Sequence, residues 1–172
     1  NITIRFRGVT GSNYRSDMAI DDISLTATTS GPEINILGNA TTIVDGDTTP
    51  SVIDDTDYGS LGAGSTLDRT FTIQNVGTTT LNLTGTPIVG ISGDPAFSIL
   101  IQPTGTTIAA GNSLTFVARF APTVNGTVQA IISIDNNDGN ENPYNFTIQG
   151  KGVAPLTEGP GGVTADLELW LK

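Results

Sequence analysis

The amino-acid sequence predicts an all-β protein folded as a two-layer sandwich, and three observations point to this class. Threonine, which favours strands, is the commonest residue and outnumbers even the 21 glycines, which favour turns. Apolar and polar residues alternate over short runs, and Gly, Asn, Asp and Pro cluster between the runs. No apolar run approaches the roughly 20 residues that a membrane-spanning helix requires.

The alternation is clearest from Leu114 to Gly152, a stretch that reads as three strands joined by two turns. Apolar residues stand at every second position of these strands: Leu114, Phe116, Ala118 and Phe120; Val128, Ala130, Ile132 and Ile134; Tyr144, Phe146 and Ile148. This period gives each strand one buried face and one wet face, so a second sheet must cover the buried side. We therefore predict that five residues are buried together: Phe71, Phe116, Ile132, Phe146 and Ile148.

Four further alternating runs precede this stretch, and they centre on Ile34–Ile36, Phe71–Ile73, Leu81–Leu83 and Phe97–Ile101. Seven strands with turn residues between them are typical of a Greek-key immunoglobulin-like β-sandwich. The sequence therefore predicts one such domain over residues 33–152. Because the chain has no cysteine, this sandwich lacks the disulfide and tryptophan core of antibody domains.

The order of the motifs in this region carries a resemblance to a known family. The motifs are PEINILGN, DYGSLGAGSTLDRTFTIQNVGTTTLNL, FVARFAPTVNGT and IDNNDGNENPYNFTIQGKG, and they cover Gly31 to Gly152. They resemble the Hydin-like immunoglobulin-like repeats, known in bacteria as choice-of-anchor D repeats. The resemblance implies a structural and adhesive role without catalytic residues.

The segments on either side of the predicted sandwich resemble parts of other β modules. In residues 1–27, IRFRGVTGS and YRSDMAIDDISL resemble the last two strands of a MAM domain, a jelly-roll module. Acidic residues near this end of that family bind a cation, and the matching positions are Asp21 and Asp22; alternatively, one of these carboxylates caps a loop. In residues 163–172, LELWL resembles the first strand of a concanavalin-like lectin or laminin-G-like domain.

The remaining segments, residues 28–32 and 153–162, are rich in glycine, proline and threonine and are typical of linkers. The chain begins with Asn1 rather than methionine, and it holds only fragments of the two outer modules. We therefore expect a piece of a longer protein, in which one complete sandwich is flanked by fragments of neighbouring β modules.

The composition excludes several classes of function. The net charge is −10, with 17 acidic and 7 basic residues, which disfavours binding to nucleic acids or to anionic membranes. The chain has neither histidine nor cysteine, so Ser-His-Asp and Cys-His nucleophiles and zinc sites with these ligands are excluded. We predict that the protein is not an enzyme and requires no cofactor.

Two acidic loops are candidate calcium sites. The first, VDGDTTPSVIDDTDYG, contains Asp45, Asp47, Asp54, Asp55 and Asp57. The second, DNNDGNEN, contains Asp135, Asp138 and Glu141. Ca²⁺ takes six to eight oxygen ligands that often come from one loop, and both loops supply several, although neither has the EF-hand spacing. The alternative is that Asp, Asn and Gly stand there because they favour solvated turns.

The predicted role is that of a structural and adhesive module in a large bacterial protein that is secreted or attached to the cell surface. One form of this role is a subunit that assembles into a filament. The tail residues Leu167, Leu169, Trp170 and Leu171 form an apolar set that needs a partner. Neighbouring modules of the same chain can cover it, and so can like subunits that add strands to one another. Surface glycans or proteins are further partners.

A second interpretation is an accessory carbohydrate-binding module of a secreted polysaccharide-degrading enzyme. Its aromatic platforms for sugar rings would be Tyr14, Tyr58, Tyr144 and Trp170. A glycan array separates the two interpretations, since a spacer binds no glycan.

Overall fold

The computed structural model describes residues 31–154 of the chain. The MAM-like segment and the strand predicted at 163–172 lie outside the described residues. So do seven candidate residues: Tyr14, Asp21, Asp22, Leu167, Leu169, Trp170 and Leu171.

Alternating sequence runs produce an all-β fold, and no helix occurs between residues 31 and 154. The strands of this region are β1 (Ile34–Gly38), β2 (Thr41–Ile43), β3 (Asp57–Gly62), β4 (Leu67–Asn75), β5 (Leu81–Asn82), β6 (Gly90–Gly93), β7 (Phe97–Ile101), β8 (Thr107–Ile108), β9 (Ser113–Phe120), β10 (Gly126–Ile134) and β11 (Tyr144–Val153). All seven predicted strands are present, and they correspond to β1, β4, β5, β7, β9, β10 and β11. The four additional strands have two to six residues each.

The strands form a two-layer sandwich, as predicted. One sheet has five strands in the order β2-β1-β4-β9-β7, and the other has four in the order β3-β11-β10-β6. A small two-stranded sheet, β5-β8, adds its buried residues Leu81 and Ile108 to the same core. Neighbouring strands are antiparallel except β3 and β11, which run parallel.

Aromatic side chains fill the space between the two sheets. Phe71 of β4 lies opposite Phe116 of β9, and their rings stack with centroids 5.3 Å apart. Phe146 of the other sheet approaches Phe71 with a centroid distance of 5.7 Å, so this trio joins the layers. The five residues predicted to be buried together are each at most 1% exposed, which confirms the prediction.

The path of the chain gives the sandwich two distinct ends. At one end, β1 begins beside the loop between β10 and β11, where the Ile34 N–H donates to Asp138 Oδ2 at 3.0 Å. At the other end, β11 finishes where the carbonyl of Val153 accepts a hydrogen bond from the Ala63 N–H at 2.8 Å. We call these the entrance end and the exit end. The ten residues of β11 span the distance between them, roughly 33 Å.

Candidate functional site

Three carboxylates meet at the entrance end of the sandwich. Glu33 directly precedes β1, whereas Asp138 and Glu141 belong to the loop between β10 and β11. One oxygen from each of these side chains lies within 4.8 Å of the other two. Asp138 is only 3% exposed, and its Oδ2 accepts the hydrogen bond from Ile34. We call Glu33, Asp138 and Glu141 the acidic cluster.

Asn136 determines the shape of the loop that carries two members of the cluster. Its side-chain amide donates to the carbonyl of Ile134 at 3.0 Å and to that of Glu141 at 2.9 Å. Its Oδ1 accepts a hydrogen bond from the Asp138 N–H at 2.7 Å. Since the Asn136 side chain is buried, these bonds hold both acidic residues in place.

Asn75, the last residue of β4, holds the third member of the cluster. Its Oδ1 accepts hydrogen bonds from the backbone N–H groups of Glu33 and Gly77, at 3.3 and 3.1 Å. Its amide donates to the carbonyls of Thr79 and Ile108 at 2.7 and 2.8 Å. One buried side chain therefore fixes the segment through which the chain enters the domain.

Negative charge accumulates around Glu141. Burial raises the pKa of the Glu141 carboxyl, and the charges of Glu33, Asp138 and Asp45 raise it further. Its Oε2 is shielded from solvent and accepts no hydrogen bond from the described residues. The ionised form of this carboxyl is thus disfavoured by its surroundings.

The basic residues of the described region do not offset this charge. Arg69 pairs with Asp55 at 2.7 Å, and Arg119 pairs with Asp68 at the same distance. Lys151 lies near the exit end of β11, at the opposite end of the sandwich. Between residues 31 and 154, the acidic cluster therefore has no basic side chain bonded to it.

The structure disperses the aspartates of the first acidic loop. Asp47, Asp54 and Asp57 each accept a hydrogen bond from the backbone N–H two positions further along, at 2.8, 3.1 and 2.8 Å. This bonding is typical of aspartate in turns. Within the described ranges these three residues do not belong to any group of three carboxylates close enough to share an ion.

The remaining candidates have separate surroundings. Asp55 is bound in its ion pair with Arg69. Asp45 Oδ1 accepts a hydrogen bond from the Asn145 N–H at 2.8 Å, which brings this one residue of the first loop towards the acidic cluster. Asp135 is exposed and is not a member of the cluster.

The two described tyrosines are core residues rather than sugar-binding platforms. Tyr58 is 3% exposed and donates its hydroxyl to the carbonyl of Ala118, while Tyr144 is 2% exposed and donates to that of Ile43. Neither ring face is available to a ligand, so the suggestion that these tyrosines stack on sugars is wrong. Both rings face inwards because successive side chains of a strand point to opposite faces of the sheet.

A comparison with protein families identifies the sandwich. The family described as the HYDIN/CFA65/VesB-like, Ig-like domain matches residues 51–151, more than half of the chain. The chain belongs to this family. The membership agrees with the resemblance to Hydin-like repeats, whereas the MAM-like and laminin-G-like resemblances stay predictions. No curated protein matches the chain.

Several solved structures are similar to this Ig-like domain. A protein of unknown function from Porphyromonas gingivalis W83 is 20% identical with a TM-score of 0.51, over 73% of this chain and 49% of that one. The secreted serine protease VesC from Vibrio cholerae is 15% identical with a TM-score of 0.46, over 56% and 21%. The PapD-like domain 7 of human CEP192 is 13% identical with a TM-score of 0.45, over 81% and 99%. The chain thus spans about half of the first structure and a fifth of the second.

Three residues of the entrance end escaped the sequence analysis, although two of them carry a signal. Asn75 continues the inward positions of Phe71 and Ile73, and Asn136 continues those of Ile132 and Ile134. A polar residue in the buried phase of a strand must find hydrogen bonds, which marks it as an organising residue. Glu33 carries no comparable signal.

In the described part of this Ig-like domain, no helix is long and apolar enough to cross a membrane.

Proposed function

We propose that this Ig-like domain is a non-enzymatic mechanical spacer in a large secreted or surface-attached bacterial protein. The observation that carries the proposal is the path of the chain, which enters beside Asp138 and leaves after Val153. These points lie at opposite ends of the sandwich, roughly 33 Å apart. Modules with this path join end to end into an extended array, because each passes the chain on in the same direction.

The strand arrangement suits a module that is under tension. A pull on both ends acts along the axes of β1 and β11, the first and last long strands. Five residue pairs join β1 to β4, and nine join β10 to β11, all antiparallel. Ladder hydrogen bonds lie perpendicular to the strands, so a force along a strand loads many of them at once. The domain should therefore resist extension rather than open one bond at a time.

The partners in this proposal are neighbouring modules of the same long protein. The alternative is a filament, in which like subunits add strands to one another. An adhesive array would also contact surface glycans or proteins. The extracellular location rests on the resemblance to choice-of-anchor D repeats.

Single-molecule force spectroscopy tests the spacer role. With the 172-residue chain held by its two ends, we expect the sandwich to unfold in one abrupt event that releases roughly 400 Å of chain. The released length is the length of residues 31–154 when fully extended, minus the distance between the two ends of the folded domain. Gradual opening in many small steps at low force would contradict the proposal.

A groove favours carbohydrate binding as a second candidate function. It has a volume of about 530 Å³ and lies beside β1 and β4. Its polar lining includes Asn39, Asp68, Arg69, Thr70, Thr72 and Gln74. On a glycan array we expect no binding by the 172-residue chain. Binding that disappears in the Gln74→Ala variant would instead favour the accessory module of a polysaccharide-degrading enzyme.

A further inference from the structure

The chain is already held in place before β1 begins. The Gly31 carbonyl accepts a hydrogen bond from the Thr78 N–H at 2.8 Å, and the Gly31 N–H donates to the Thr78 hydroxyl at 3.3 Å. The Glu33 carbonyl accepts a hydrogen bond from the Val76 N–H at 2.8 Å. These bonds continue the antiparallel ladder of β1 and β4 beyond the strands themselves. We call the two bonded segments, residues 31–33 and 76–79, the entry clamp.

Gly77 allows the two segments of the entry clamp to approach each other. A Cβ atom at this position would meet the Gly31 carbonyl oxygen and would lie 2.6 Å from the nitrogen of Glu33 and 2.8 Å from the carbonyl carbon of Pro32. All three are backbone atoms, so they cannot turn aside as a flexible side chain can. Gly77 is not among the glycines with positive φ, so alanine suits its backbone conformation. Alanine at this position should therefore act mainly by displacing the incoming chain.

The ladders of the two sheets make the entrance the weaker end of the sandwich. A pull on both ends of the domain acts in series, so β1 and β11 carry the same force. Five residue pairs join β1 to β4 and three join it to β2. Nine pairs join β11 to β10, and four join it to β3. Because the ladder bonds share a pull along the strand, β1 should yield before β11.

We propose that the entry clamp sets the force at which this domain unfolds. Its bonds lie nearest to the pulled end and perpendicular to the pull, so they must break together with the ladder of β1. Once they are broken, β1 leaves with its buried residues Ile34 and Ile36, and the core between the sheets opens. Such a threshold matters only in a module under tension, so the inference rests on the proposed spacer role.

The lifetime of the folded domain under a constant force tests the entry clamp. With the 172-residue chain held by its two ends, we expect Gly77→Ala to shorten this lifetime about tenfold, because the displaced segment loses its backbone hydrogen bonds. The milder Thr78→Val removes only the acceptor of the Gly31 N–H and should shorten the lifetime roughly threefold. Gly105→Ala is the matched control, since its Cβ would make an ordinary contact with Leu114 at 3.9 Å, and it should keep the natural lifetime.

A second pulling geometry separates the entry clamp from a general loss of stability. The chain has no cysteine, so Val44→Cys provides a single attachment point on an exposed residue that follows β2. A pull between this point and the C-terminal end bypasses both the entry clamp and β1. In this geometry, Gly77→Ala should change the lifetime by less than about twofold.

Two outcomes would overturn the role of the entry clamp. One is a natural lifetime in both Gly77→Ala and Thr78→Val when the chain is held by its ends. The other is an equal shortening by Gly77→Ala in the two geometries, which would mean that the substitution weakens the whole sandwich. Either result is compatible with abrupt unfolding of the natural chain, whereas gradual opening of the natural chain contradicts the spacer role itself. The two proposals therefore fail separately.

Discussion

Replacing Phe116 with alanine should lower the free energy of unfolding by about 3–5 kcal/mol. The Phe116 ring is 0% exposed and stacks at 5.3 Å on Phe71, the central ring of the trio that joins the two sheets. Truncation removes a large buried surface and leaves a cavity that the surrounding strands can fill only in part. Urea denaturation of the 172-residue chain, followed by circular dichroism, measures the loss.

Thr115 provides the matched control on the same strand. Its side chain is exposed, so Thr115→Ala should change stability by no more than about 0.5 kcal/mol. If the two variants unfolded at the same urea concentration, the assignment of the shared core of β4 and β9 would be wrong.

Replacing Asn75 with alanine should cost about 3 kcal/mol, although the side chain is polar. Asn75 is 1% exposed and makes four hydrogen bonds to backbone groups of four different residues. Its loss leaves these donors and acceptors without their partner, and the Ile108 carbonyl, whose bond to Asn75 is buried, is the most unfavourable of them. The same denaturation experiment measures the effect.

Asn35 is the control for this second substitution. Its side chain makes one hydrogen bond, to Gln74 at 3.0 Å, and is only partly buried. Asn35→Ala should therefore cost less than about 1 kcal/mol. A similar loss in both asparagine variants would show that Asn75 does not organise the entrance end.

The acidic residues show how far sequence reasoning reaches at this site. Asp138 and Glu141 stand close together in one loop, so the sequence predicts them as a pair of candidates. Glu33 is more than 100 positions away from them, and the alternation of residues says nothing about such a distance. The hydrogen bond from the Ile34 N–H to the Asp138 carboxylate spans 104 positions, and this contact brings Glu33 to the loop. The site is thus a product of tertiary packing rather than of one local motif.

Because sequence patterns report only on local structure, the sequence analysis also missed four strands. β3 contains two glycines and has no clean alternation, and β8 has only two residues. β3 becomes a strand because the longer β11 offers its unpaired backbone groups, whereas β8 pairs with the equally short β5. Their conformation depends on the partner and carries little local signal.

The sequence by itself determined the all-β class, the seven principal strands and the buried aromatic core. It did so because period-two alternation is a local property, which puts residues such as Phe71 and Phe146 on the inner face wherever their strands pair. Only the tertiary structure decided the order of the strands and the positions of the chain ends. It also decided that Glu33 meets Asp138 and Glu141. All of these features depend on contacts between distant segments, which the packing of the two sheets selects.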